Sequence, residues 1–136
     1  MDAPAVIDPR SIDLDMVEQY MLPLEQVECP IQYYFGPGIC IRERACPANS
    51  LVIGHKHKFP NMSMIVSGAC VVLEDGRLTE IMAPQIFVGE AQRKVILALT
   101  DVVWLNILAT DLKNPAEIEA YFVEPSQAYR ETMQCS

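Results

Sequence analysis

Between residues 31 and 109 the chain alternates short apolar runs with turn-forming clusters and leaves no room for a helix. That restricts it to an antiparallel all-β architecture. The runs IQYYF, GICIRER, SLVIG, HKHKF, SMIVS, ACVVL, RLTEIM, QIFV, KVILAL and VVWLNIL read as strands. Gly36-Pro37-Gly38, Pro47-Ala48-Asn49, Pro60-Asn61, Glu74-Asp75-Gly76 and Gly89 punctuate them. Many short strands at even spacing close into a sandwich or barrel. Asp75-Gly76 after ACVVL predicts a hairpin, since both central positions of such a turn favour φ > 0. In GICIRER the two-residue period puts Ile39 and Ile41 on one face and Arg42 and Arg44 on the other.

The flanks differ in character. Residues 1–30 form an acidic, proline-containing arm, in which SIDLDMVEQYML predicts a short helix capped by Ser11 or Asp13. Residues 31–110 are the β-barrel. Residues 111–136 begin with Asn114-Pro115, an N-cap followed by a first helical position, and AEIEAYF continues as a helix that Pro125 ends. A total of 136 residues, 51% of them hydrophobic, gives one domain with a real core. No apolar run approaches the ~20 residues of a membrane span. The start MDAPAVIDPR lacks the cationic-then-apolar order of a secretory signal.

Charge is concentrated at one end. Residues 1–28 hold seven acids (Asp2, Asp8, Asp13, Asp15, Glu18, Glu25, Glu28) against Arg10, which accounts for −6 of the net −8. Such a chain repels phosphate backbones, so no nucleic-acid partner is expected. The acidic arm reads first as a solvated face and second as a dock for a basic partner. Five cysteines (Cys29, Cys40, Cys46, Cys70, Cys135) make an odd number without CxxC spacing. That argues against a zinc knuckle or a disulfide framework and for free thiols in a reducing cytoplasm. Cys40 and Cys70 sit among Ile and Val as small buried hydrophobes.

His55 and His57 are the two histidines of the chain. On a strand, positions i and i+2 share a face about 6.5–7 Å apart. The pair therefore converges on one point, with Lys56 and Lys58 on the opposite side. Gly54-His55-Lys56-His57, three residues, Asn61, six residues and Gly68 resemble the first motif of the cupin family. Pro84 followed by Gly89-Glu90-Ala91-Gln92 resembles its second motif. The resemblance spans about residues 38–109 and implies a jelly-roll β-sandwich or barrel, with short helices left to the terminal arms. It implies a metal shell at His55, His57, Asn61 and Gln92. Here Asn61 stands where the family has glutamate and Gln92 where it has histidine. Both are neutral amides, weak ligands for iron, manganese or zinc, so no cofactor is the first expectation and a divalent metal the second. Glu90 would join the shell only if its loop bent inward.

Other chemistry is less supported. There is no GxSxG elbow around Ser63 or Ser67, no GxGxxG loop, and no cysteine placed by sequence beside the histidines. Met62, Met64, Phe87 and Trp104 read as core before they read as a ligand-lined mouth. HKHKFPNMSMIVSGACVV, APQIFVGEAQRKV and LALTDVVWLNILATD together resemble small cupin-like proteins of tailed phages, over most of residues 50–111. That implies a phage setting: host cytoplasm or virion, with the chain as a homo-oligomer or docked on other virion proteins, and no membrane partner. Two readings follow. The first is a non-catalytic structural or interaction protein. The second is a metal-dependent dioxygenase or isomerase acting on a small molecule.

Overall fold

The computed structural model of the chain describes residues Ile12–Gln134. Ser11, one of the two expected helix caps, lies outside the described residues, as do Asp2, Asp8, Arg10 and Cys135. In order, the elements are α1 (Leu14–Met21), β1 (Ile31–Gly36), β2 (Ile39–Cys46), β3 (Leu51–Ile53), β4 (Lys56–His57), β5 (Asn61–Ser67) and β6 (Ala69–Glu74). They continue as β7 (Arg77–Met82), β8 (Gln85–Gly89), β9 (Lys94–Ala98), β10 (Val102–Ala109), α2 (Pro115–Phe122), β11 (Val123–Glu124) and α3 (Gln127–Gln134). No helix among the described residues is long and apolar enough to cross a membrane.

The strands form two facing antiparallel sheets, ordered β1-β2-β10-β5-β8 and β3-β9-β6-β7, with a small β11-β4 pair at one end. Strict alternation along β10 buries Val102, Trp104, Asn106 and Leu108 and turns Val103, Leu105 and Ile107 outward. Ile65, Cys70, Val72, Ile81, Ile96 and Trp104 fill the space between the sheets. Each such side chain contributes roughly 1.5–3 kcal/mol by leaving water. A second, smaller cluster of Cys40, Leu108 and Ile118 closes the far end, where α2 lies across the barrel. The hairpin at Asp75-Gly76 forms as expected, with φ of 51° and 70°.

Asp13 caps α1 by accepting from the amides of Asp15 and Met16, and Asn114 caps α2 in the same way. Pro125 does not end α2: the helix stops at Phe122 and the chain returns as β11 to pair with β4. HKHKF keeps two strand residues, Lys56 and His57, because Phe59 and Pro60 turn the chain into β5. Phe87 and Trp104 are interior, with ring centroids 5.3 Å apart. Met62 and Met64 depart from the core expectation. Their registers, Met62 opposite Val88 and Ile107 and Met64 opposite Ile86 and Leu105, put both on the outer face, where Met62 is exposed and Met64 half-buried. Arg93 binds Asp15 and Glu18, both at 2.7 Å, and so ties α1 to the barrel. Two acids of the N-terminal arm are thus engaged by the chain itself.

Candidate functional site

The inward positions near the α2 end of the barrel are polar. β2 contributes Arg42 and Arg44, β5 contributes Asn61 and Ser63, β9 contributes Lys94, and β10 contributes Asn106. Parity explains why: Cys40 and Cys46 are buried on the same face of β2 that carries the two arginines. His55 and His57 reach this end from the short β4 segment, and α2 brings Glu119 over it. Together they enclose a cavity of about 40 Å³, lined by Arg42, Arg44, His55, His57, Asn106 and Glu119. That volume holds a few waters at about 15 Å³ each.

A hydrogen-bonded chain runs along its wall. Asn106 Nδ2 donates to Ser63 Oγ at 3.2 Å, and Ser63 Oγ donates to Asn61 Oδ1 at 3.4 Å. Asn61 Nδ2 lies 2.5 Å from His57 Nδ1. Because an amide NH2 only donates, Nδ1 is the acceptor and the ring proton sits on Nε2. Burial, reinforced by the charges of Lys94 and Arg42, pushes the His57 pKa down to about 4. The imidazole is therefore neutral near pH 7. Burial likewise lowers the pKa of His55, whose ring packs edge-on against Tyr129 with centroids 4.6 Å apart.

The charges are unevenly matched. Glu119 Oε1 accepts from Arg42 Nε at 2.6 Å and from Tyr33 OH at 2.5 Å. Burial opposes ionisation of Glu119, but Arg42 and the Tyr33 hydroxyl outweigh it and hold the carboxyl below its usual range. Lys94 is buried, its ammonium 4.0 Å from Glu74 Oε1. A Cβ added at Gly89 would sit 2.6 Å from that ammonium and 3.7 Å from Asn61 Oδ1, so both groups face Gly89. Among the described residues, Arg44 Nε and His55 Nδ1 are buried and have no hydrogen-bond partner.

Of the four residues that the cupin resemblance assigns to a metal, two line one cavity, the third holds one of them, and the fourth gives its side chain to another partner. His55 and His57 line one cavity, and Asn61 holds His57. Gln92 donates its side-chain amide to Glu74 Oε1 at 3.3 Å, while its backbone oxygen accepts from the His57 amide. Glu90 stays exposed. Among the described residues no group of three His, Cys, Asp or Glu side chains is placed to hold a metal ion. The donor set does not fit iron, manganese or zinc: one imidazole nitrogen is engaged by an amide, and Glu119, the carboxylate that lines the cavity with the histidines, is taken up by Arg42 and Tyr33. The Ser63 hydroxyl donates to Asn61 and not to a base, so it is not activated as a nucleophile.

Sequence reasoning missed Lys94, Asn106 and Glu119. It saw the Arg42–Arg44 face without recognising it as the inner one. The signal was available in the parity of Cys40 and Cys46. Glu119 carried none, because its role depends on where α2 docks.

No protein-family model matches the chain, and no curated protein matches its sequence. Solved structures do match in shape. A cupin 2 domain-containing protein from Halorhodospira halophila is 14% identical with a TM-score of 0.55, over 78% of this chain and 77% of that one. A mutant of salicylate 1,2-dioxygenase from Pseudoaminobacter salicylatoxidans is 14% identical with a TM-score of 0.56, over 69% of this chain and 29% of that one. An HTH_3 family transcriptional regulator from Vibrio cholerae is 20% identical with a TM-score of 0.50, over 58% of this chain and 49% of that one. The chain thus spans about half of the regulator and under a third of the dioxygenase. The likeness establishes the cupin fold, as the jelly-roll reading expected. The same fold carries an enzyme and a regulator here, so fold alone assigns no activity.

Proposed function

We propose that this protein is a non-catalytic cupin-fold module that assembles with copies of itself through the outer face of its five-stranded sheet. The observation that carries the reading is a single register row. Tyr34, Ile41, Ile107, Met62 and Val88 lie side by side across β1, β2, β10, β5 and β8. The next row along carries Leu105, Met64 and Ile86, with Glu43 as its acid. Four strand spacings of about 4.8 Å make the row roughly 19 Å wide. Tyr34, Met62, Ile86 and Val88 are between 46% and 61% exposed. A contiguous apolar face of this width on a soluble domain marks an interaction surface. A face with almost no charge is complementary to its own copy, the condition for a two-fold interface. The unsuitable metal shell supports the non-catalytic part of the reading.

The phage setting rests on the resemblance of residues 50–111, and within it the assembled barrel serves as a virion component. Sedimentation of the full chain tests the assembly. The unmodified protein is expected as a discrete oligomer, and Val88→Lys as a monomer with an unchanged circular dichroism spectrum. A monomeric unmodified protein, or a Val88→Lys variant that still assembles, overturns the reading. Detection of the chain in purified particles tests the virion role.

A further inference from the structure

Cys29 and Cys46 face each other at the open end of the β1–β2 hairpin. The register of that pair sets Ile31 opposite Arg44. One step beyond, the Ala45 amide donates to the Pro30 carbonyl oxygen at 3.0 Å, so the pairing continues past the end of β1. The next step sets Cys29 opposite Cys46. Because Pro30 and Ala45 share a ladder hydrogen bond, the cysteines take the following non-hydrogen-bonded position, where Cα atoms are about 4.5 Å apart and side chains closest. A disulfide needs Cα atoms roughly 4.4–6.8 Å apart. Both side chains turn inward: Cys46 belongs to the core cluster, and Cys29 packs against it.

The two thiols differ in access. Cys29 is half-buried and lines a groove between the segment after α1 and the edge strand β3, whereas Cys46 is 2% exposed. Burial first, and then the nearby Cys29 thiol, pushes the Cys46 pKa up to about 11. Arg44 shares their face of the hairpin, and its charge acts on both sulfurs. It has no ion pair among the described residues. A cation beside a thiol favours the thiolate, the form that reacts with oxidants. The other described cysteines are placed differently: Cys70 is fully buried on the opposite sheet, and Cys40 lies toward the other end of β2.

We infer that Cys29 and Cys46 form a reversible two-thiol redox site, which a hydroperoxide oxidises to an intramolecular disulfide. Cys29, as the accessible thiolate, attacks the terminal peroxide oxygen. The O–O bond breaks, and the leaving oxygen takes up the proton that the thiol gave to solvent. Cys46 then attacks the sulfur of the Cys29 sulfenic acid; the S–S bond forms, and the hydroxyl leaves with the Cys46 proton as water. Two electrons pass from the two sulfurs to the O–O bond, and a thiol reductant reverses the step. The bridge fastens the segment after α1 to the end of β2. It lies apart from the outer sheet face, so redox state and oligomeric state are read independently.

The test adds hydrogen peroxide to the reduced full chain, alkylates the remaining thiols and maps chymotryptic peptides by mass spectrometry. Cleavage at Tyr33, Tyr34 and Phe35 separates Cys29 from Cys40. The expected product has lost two of its five thiols and about 2 Da, and links Cys29 to Cys46. Dithiothreitol restores both thiols. The oxidised chain is expected to melt no lower than the reduced one, since the register already supplies the geometry. Cys29→Ser is expected to slow the loss of the Cys46 thiol at least roughly tenfold, because Cys46 is then reached only through the core. A bridge to Cys70 or Cys135, a bridge between chains, an oxidised chain that melts lower, or undiminished loss of Cys46 in Cys29→Ser overturns the inference. So does a reduced chain that keeps all its thiols.

Discussion

Asn61 Nδ2 lies 2.5 Å from Nδ1 of His57, so an amide donates to a ring nitrogen at the place where a carboxylate would accept from it. The contact selects the neutral imidazole with its proton on Nε2. It stabilises that form and offers nothing to the imidazolium. Asn61→Asp reverses the preference, because an aspartate accepts from a protonated ring and stabilises its charge. The expected outcome is a His57 pKa raised from about 4 to its ordinary range or above, with Lys94 tempering the rise. Proton NMR titration of the imidazole signals measures it. A His57 that still titrates near 4 in the variant would mean that burial and the neighbouring cations set its charge.

The same residue makes stability depend on pH. The pKa of His57 falls from 6.5 in the unfolded chain to about 4 in the fold. Between those values the unfolded chain binds a proton that the native state refuses, so stability rises with pH there. The contribution is complete above pH 6.5 and is lost as pH falls through 4. It amounts to about 3 kcal/mol at most, at 1.36 kcal/mol per unit. His55, lowered by burial, acts in the same sense. Urea unfolding across this window should show the loss, and His57→Gln should flatten it. A slope unchanged in His57→Gln would place the proton uptake elsewhere.

Two glycines with positive φ separate backbone strain from crowding. Gly38 has φ of 70° and open space where a Cβ would go. Gly68, between β5 and β6, has φ of 89° and would place a Cβ 2.1 Å from the carbonyl oxygen of Asp101. Gly38→Ala is expected to cost about 1–2 kcal/mol, the left-handed penalty alone. Gly68→Ala meets backbone that has nowhere to move and is expected to cost more, upward of about 3 kcal/mol. Thermal denaturation of the two variants ranks them, and equal costs would show that the β5–β6 turn relaxes freely.

The barrel was legible because each strand has a two-residue period and each turn its own chemistry. Asp75-Gly76, Asn114-Pro115 and the Ile39–Arg44 alternation all appear where the sequence puts them. The site was legible only where it is local. His55, His57 and Asn61 lie within seven positions, and they come together. Gln92 meets His57 through its backbone oxygen alone, because Glu74 on a neighbouring strand captures its side-chain amide. Lys94 enters in its stead through the alternation of β9, which buries positions 94, 96 and 98. Glu119, Tyr129 and the groove beneath α1 depend on how the arms dock, a long-range outcome that no local period records.

Arg93 is where that docking is concentrated. Its guanidinium reaches Asp15 and Glu18 of α1, both at 2.7 Å, and its Nε donates to the Gly54 carbonyl just before His55. Glu18 is 4% exposed and its other oxygen accepts from Ser126, ahead of α3. One side chain therefore ties α1 and, through Glu18, α3 to the barrel. Arg93→Met leaves the Glu18 carboxylate buried without its cation. Breaking a buried pair in this way costs about 3–5 kcal/mol, more than the sum of two exposed ion pairs. The fold has an inexpensive escape, since both helices can leave while the sheets keep their core. The variant should thus lose hydrogen-exchange protection in Leu14–Met21 and Gln127–Gln134 together and keep it in β5, β6 and β10. Adding Glu18→Gln to Arg93→Met removes the stranded charge and should restore much of the protection in both helices. If only α1 loosens in the single variant, Ser126 is not the link that couples the two arms.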